Sequence, residues 1–290
     1  MKKTLKNNSL SITINRLGAE VSGIKTSDGH DYIWEADPNI WGRHAPVLFP
    51  IVGKLKEDKY YHQGQHYSLN QHGFARNMEF EFIEEETASL SCRLLPTPET
   101  MKAYPFKFEL IIHYRLIENS IQIDYQVKNN DTKLMPFSIG AHPAFALNWG
   151  KNDRVEDYYL TFEKAETIDT VHLDSDSLLS DETERVLTNE SVIPLRADMF
   201  NRDALILLKL QSEKVSLCSH LHKRKVTVEF KDFPYLGIWA KPAAPYVCIE
   251  PWHGYVDPAD HDGVLMNKPG IIRLDPGAVF SCTHTIYIDE

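Results

Sequence analysis

Basic charge is what this 290-residue chain has too little of: 31 Lys and Arg stand against 41 Asp and Glu, a formal net charge of −10. Nucleic-acid binding is dominated by phosphate neutralisation, so this balance argues against a nucleic-acid partner. Long apolar runs are missing too. The longest, around Ala45 to Val52, is too short to cross a bilayer. Met1-Lys2-Lys3 leads into polar Asn7-Asn8-Ser9 rather than an apolar segment, so a cytoplasmic protein without a membrane partner is expected. Cysteine is sparse: Cys92, Cys218, Cys248 and Cys282 are far apart, form no CxxC pair, and read as buried free thiols. No GxGxxG, GxxxxGK[ST] or GxSxG element occurs, so dinucleotide loops, phosphate loops and a nucleophile elbow are not in view, and no cofactor is expected. His62 with His66, His220 with His222, and His253 with Asp257, Asp260 and His261 lack the helix or strand context that makes ligand spacing specific. No metal is expected.

Helical periodicity is also scarce, with one short candidate turn at Pro98 to Ala103. What the chain does have is apolar content, 42% overall with 11% aromatic, arranged in short alternating segments. Leu10, Ile12 and Ile14 show the period of two expected of half-buried strands, as do Leu90, Cys92 and Leu94, then Phe108 to Tyr114 and Ile121 to Val127. Tyr159 to Phe162, Leu205 to Leu210, Val226 to Phe230 and Phe280 to Ile288 continue the series. Turn residues such as Ser27-Asp28-Gly29 and Gln63-Gly64-Gln65 punctuate it, which predicts an all-β sandwich or barrel. Lys151 to Asp157 and Asp174 to Glu190 are polar and read as surface loops. No break in composition divides the chain, so residues 1–290 are taken as a single domain. The oligomeric state is left open, a homodimer among the options.

Two stretches carry chemistry. In Ser138-Ile139-Gly140-Ala141-His142-Pro143-Ala144-Phe145, Gly140 permits a close approach, and Pro143 biases His142 toward extended backbone at a strand end. Alone, His142 reads equally well as a satisfied core histidine. Val247-Cys248-Ile249-Glu250-Pro251-Trp252 repeats the arrangement with a carboxylate. Ending an apolar strand beside tryptophan, Glu250 would have its charged form disfavoured by desolvation. A solvated strand-end glutamate is the plain alternative.

Further candidates cluster around these two. His72 and Arg76 flank the apolar Gly73-Phe74-Ala75, where a guanidinium offers a fixed fork for hydroxyl or anionic oxygens. Lys54 follows Gly53 at the end of the Ala45 to Lys54 stretch. Asp203 opens a strand-like run and reads as a strand-mouth group or a turn residue. Trp239 and Lys241 offer a stacking face and a donor.

Taken together, Gly140 to Phe145, His72-Gly73-Phe74-Ala75-Arg76 and Cys248 to Trp252 resemble the aldose 1-epimerase, or galactose mutarotase-like, superfamily, in particular its LacX-like branch. That resemblance implies one large antiparallel β-sandwich, a supersandwich, with a sugar cleft on one sheet face and no cofactor. It implies interconversion of the α and β anomers of a free aldohexose, with Glu250 as base and His142 as acid. By the same resemblance His72 and Asp203 match sugar-contacting residues, while Arg76, Lys54, Trp252 and Lys241 are candidates from their own chemistry to hold the implied small-molecule sugar. Galactose mutarotases carry an arginine in a Gly-Arg element where this chain has Gly53-Lys54, which leaves the sugar open. Three alternatives stand beside this: a hexose-6-phosphate mutarotase, a non-catalytic carbohydrate-binding or sensing protein, and a metal-dependent β-barrel enzyme using the histidine pairs.

Overall fold

The computed structural model describes residues 1–290. Its largest sheet has nine strands, all paired antiparallel. It runs from Leu179–Pro194 at one edge through Tyr158–Leu173, Lys214–Ser219, Lys225–Glu229, Val279–Asp289, Ser120–Asn129, Phe108–Ile117 and Ser89–Leu94 to Glu81–Glu85. A six-stranded antiparallel sheet is built from Leu205–Leu207, Tyr235–Trp239, Tyr246–His253, Ile139–Ala141 and Val47–Leu48, with Ala144–Ala146 paired to the Tyr246–His253 strand. A three-stranded sheet at the start of the chain, Lys2–Lys6, Leu10–Asn15 and Val21–Thr26, flanks them. Alternation explains why these segments are strands: Ile121, Ile123, Tyr125 and Val127 are buried and Gln122, Asp124, Gln126 and Lys128 are not.

The two large sheets pack face to face. Val47, Ala141 and Pro143 from one meet Tyr114, Ile123, Tyr125 and Ile286 from the other around a void of only about 20 Å³. One continuous core of 68 buried side chains runs from Leu5 to Ile288. The fold is thus the antiparallel sandwich that the alternation predicts, and Pro98–Ala103 is its α-helix, opened by a Thr97–Thr100 capping box. No helix is long and apolar enough to cross a membrane.

Two segments depart from the sequence reading. Asp174 to Glu190, expected as a surface loop, mostly belongs to the 16-residue strand Leu179–Pro194, which forms a long hairpin with Tyr158–Leu173. This strand lies at the sheet edge with most of its side chains in solvent, and bulges interrupt its register, so it lacks the apolar period of two. The strand expected over Leu205 to Leu210 stops at Leu207. Three cysteines are buried free thiols as expected, whereas Cys218 is only half-buried.

Candidate active site

Tyr246–His253 is the central strand of the six-stranded sheet, with Tyr235–Trp239 on one side and Ile139–Ala141 and Ala144–Ala146 on the other. Val247 and Ile249 join the main core, while Glu250 and Trp252, two apart, face the opposite way into a cleft. Glu250 is the fifth of eight strand residues, not a strand end as the sequence reading had it. Its burial comes instead from the cleft floor, and it is 1% exposed. His142 does sit at a strand end, between Ile139–Ala141 and Ala144–Ala146. Its Nε2 lies 3.2 Å from Glu250 Oε1.

Glycines make this arrangement possible. Gly237 pairs across the strand with Glu250 and Gly140 with Trp252. A Cβ at Gly237 would stand 2.2 Å from Trp252 Cζ2, and one at Gly140 would stand 2.8 Å from Trp252 Cδ1. The indole therefore lies across two neighbouring strands where side chains would block it. Gly237→Ala is expected to push Trp252 out of place, costing about 1–3 kcal/mol of stability as overpacking does. Thermal unfolding of the variant checks this, and an unchanged melting temperature counts against the assigned packing.

His72 forms the next wall. It has φ +65°, an uncommon backbone conformation for a non-glycine residue that often accompanies function. Its N–H donates to Gly53 O at 2.9 Å, and the Gly53 N–H donates to its Nδ1 at 3.2 Å. Accepting at Nδ1 assigns the ring proton to Nε2, so His72 is a donor on its other side. Burial, with His142 beside it, holds its pKa well below the ordinary value, and the ring is neutral.

Burial dominates the electrostatics of the central pair. It pulls His142 down to about 3, aided by Arg76 and Arg43 and opposed by the backbone at His142. It pushes the Glu250 carboxyl well above the usual carboxylate range, and Asp203 adds to the rise. Both shifts disfavour a charge on either side chain, and the geometry puts the carboxyl within proton-transfer reach of the imidazole. Glu250 Oε2, His142 Nδ1 and Trp252 Nε1 are buried without a protein hydrogen-bond partner.

The cleft encloses about 260 Å³. That is close to the lower end of the roughly 300–1,000 Å³ of small-molecule pockets, room for one ring-sized molecule. His72, Arg76, Asp203, Lys54 and Trp252 line it along with the central pair and Trp239. Arg76, lowered to about 10 by burial and by Arg43, leaves its Nε without a protein partner. Lys54 Nζ donates to Asp176 O at 2.8 Å, tying the tip of the long hairpin to the cleft wall. Asp203 is both a turn residue, accepting from the Ala204 N–H at 2.8 Å, and a rim group. Lys241 is the exception. The Tyr235–Trp239 strand ends before it, so alternation from Trp239 no longer holds and Lys241 is exposed in the following turn, outside the cleft lining.

The proposed histidine pairs find other partners. His62 packs on Phe106, His66 on Tyr61, His220 on Tyr159 and His253 on Phe233, while His222 faces Asp153 and His261 faces Asp257. Sequence reasoning missed Trp41, whose ring stacks on His142 with centroids 5.0 Å apart. The one available signal was a large aromatic in a stretch without strand alternation, just before Gly42. Gln71, Leu173 and Ser177 also line the cleft. Ser177 comes from the stretch read as a surface loop, and Leu173 ends the strand just before it.

A sequence model of the family described as aldose 1-epimerase matches residues 1–268. A plasmid-encoded protein LacX of Lactococcus lactis subsp. lactis is 34% identical over 281 residues, covering 94% of each chain. Among solved structures, a galactose mutarotase related enzyme from Lactobacillus acidophilus superimposes with a TM-score of 0.95 at 39% identity, covering 100% of this chain and 98% of that one. A galactose mutarotase-like protein from Lactobacillus casei gives 0.94 at 29% identity, with both chains covered in full.

Proposed function

The chain belongs to the aldose 1-epimerase family, and we propose that it interconverts the α and β anomers of a free aldohexose by proton exchange between Glu250, His142 and the sugar. The observation that carries this is the 3.2 Å approach of His142 Nε2 to Glu250 Oε1 at the floor of a ring-sized cleft. Mutarotation needs a proton taken from the anomeric hydroxyl and another given to the ring oxygen, two atoms bonded to one carbon. An adjacent base and acid can address both.

In the ionised form of the pair, Glu250 accepts the O1 proton while His142 donates to O5. The C1–O5 bond breaks as the C1–O1 bond becomes a carbonyl. Rotation about C1–C2 presents the other face, O5 attacks it, and the protons return. The starting charges are restored, and no redox partner is consumed. General acid–base catalysis contributes about 10²–10⁴-fold, so positioning by the His72 Nε2 donor, Asp203 and the Trp252 and Trp239 faces must supply the rest. This reading takes residues 1–290 as one domain, supported by the continuous core. Polarimetry of freshly dissolved α-aldoses tests it: acceleration beyond the buffer rate is expected, and none on any aldohexose, free or phosphorylated, removes it.

One observation favours a second reading, a hexose 6-phosphate. Lys54 and Arg76 line the cleft without a carboxylate within salt-bridge distance, and Arg76 adds a partnerless Nε. Cations so placed match phosphate oxygens. If phosphate is recognised there, Arg76→Ala raises KM for the phosphorylated sugar about 10-fold or more, the loss of one charge-assisted contact of about 1.5–3 kcal/mol. It does so more than for the free sugar. Equal or lower wild-type activity on the phosphate would discard this alternative.

A further inference from the structure

Cys248 has no part in proton exchange with the sugar, yet its placement is not that of an ordinary core thiol. It lies two residues before Glu250 on the same strand, so the two side chains share a strand face. Its cross-strand neighbours are Ala144 and Trp239, and the small Ala144 follows His142 by two residues. One ligand atom from each of His142, Cys248 and Glu250 lies within 4.8 Å of the others, and all three residues are buried. The second carboxylate oxygen of Glu250 has no protein partner.

We propose that His142 Nε2, Cys248 Sγ and a Glu250 oxygen form a three-ligand site for a thiophilic divalent cation, Zn²⁺ or its analogues, which blocks the cleft when bound. The donor set is one nitrogen, one sulfur and one oxygen, each a normal zinc ligand, and two of its residues, His142 and Glu250, line the cleft. Thiolate and carboxylate together cancel the charge of the cation, which suits a buried position. A bound cation also favours the deprotonated thiol, although burial and Glu250 alone push the thiol pKa well upward. Occupation ties up the lone pairs of Glu250 and His142 that must trade protons with the sugar, so metal and substrate compete. Mg²⁺ and Ca²⁺ demand more oxygen ligands than the site has and are excluded by its softness.

Co²⁺ titration of the purified chain tests this directly. One equivalent is expected to bind with a thiolate-to-cobalt charge-transfer band, and Cys248→Ser is expected to remove the band. Absence of the band in the wild type, or its persistence in Cys248→Ser, overturns the proposal. Glu250→Gln, which keeps the thiol, supplies a second measure. Losing even an outer-shell partner costs about 10–100-fold in metal affinity, so cobalt binding should weaken at least that much, and unweakened binding counts against the site. The kinetic arm rests on the proposed mutarotation. Zn²⁺ should slow anomerisation by about 10²-fold or more, the loss of the acid–base contribution. A chelator should restore the rate, Mg²⁺ should do nothing, and Cys248→Ser should be less sensitive relative to its own metal-free rate. Equal sensitivity in Cys248→Ser would place the inhibition elsewhere. If no aldose is turned over, the cobalt spectra still decide whether the site exists.

Discussion

Glu250→Gln is expected to lower the anomerisation rate by about 10²–10⁴-fold, the range of general acid–base catalysis, and His142→Asn to do the same. Each replacement removes a proton acceptor or donor and keeps a side chain of similar shape. If the two residues exchange protons with one hemiacetal, as proposed, either loss stalls the same step. The double variant should therefore be little worse than the single ones, far from the product of the two effects. Stability provides the control. Burial already disfavours the charged carboxyl of Glu250, so an amide of nearly the same shape introduces no new buried charge. The melting temperature should stay close to that of the parent while the rate collapses. Polarimetry and thermal unfolding on the same preparations separate the outcomes, and full activity in either single variant ends the assignment.

How much of this was legible beforehand differs between the strands and the cleft. Period-two segments such as Ile121 to Val127 gave the sandwich because each presents one face to the core and one to water. That signal fails for Leu179–Pro194, an edge strand with most side chains in solvent. With it went the tip of the hairpin, which brings Leu173 and Ser177 to the cleft. His142 was readable from Gly140 and Pro143, since both constrain backbone. Glu250 was readable as a buried carboxylate, but its place in mid-strand was not. Pro251 marks a strand end only where its missing N–H cannot be spared, and here the strand continues past it. Nothing in the sequence indicates that Gly237 exists to make room for Trp252, because the collision is between neighbouring strands.

The hairpin also bears on what the cleft can hold. Lys54 fastens its tip through the Asp176 carbonyl, and Leu178 joins Leu48, Val52, Ile206, Trp252 and Val256 in a small apolar cluster on the cleft side of the sheet. The same residues that bury Trp252 thereby wall the cleft in which Glu250 and His142 lie. Enclosure desolvates Glu250 and His142 and so disfavours the charged form of each.

Acidification should destabilise this fold at a buried histidine outside the cleft. His284 is buried in the sheet, stacked on Tyr125 with centroids 5.6 Å apart and edge-on to Phe233, and its Nδ1 has no protein partner. Burial pulls its pKa down to about 3, with Asp124 opposing. An unfolded histidine titrates near about 6.5, so between those values the unfolded chain binds the proton and the folded chain does not. Stability is therefore lost as pH falls through this window, on the order of 5 kcal/mol once both states are protonated. His142 contributes in the same direction. Glu250 has the opposite sign: its raised folded pKa favours the folded state below the unfolded carboxyl value, and that contribution is lost as pH rises through the folded value. At the Glu250–His142 pair the two effects offset each other, whereas His284 has no such buried carboxyl partner. His284→Leu should accordingly move the acid-unfolding midpoint to lower pH while leaving neutral-pH stability nearly unchanged. Circular dichroism followed from pH 7 to pH 3 checks it, and coincident midpoints for parent and variant would show that His284 does not drive the acid transition.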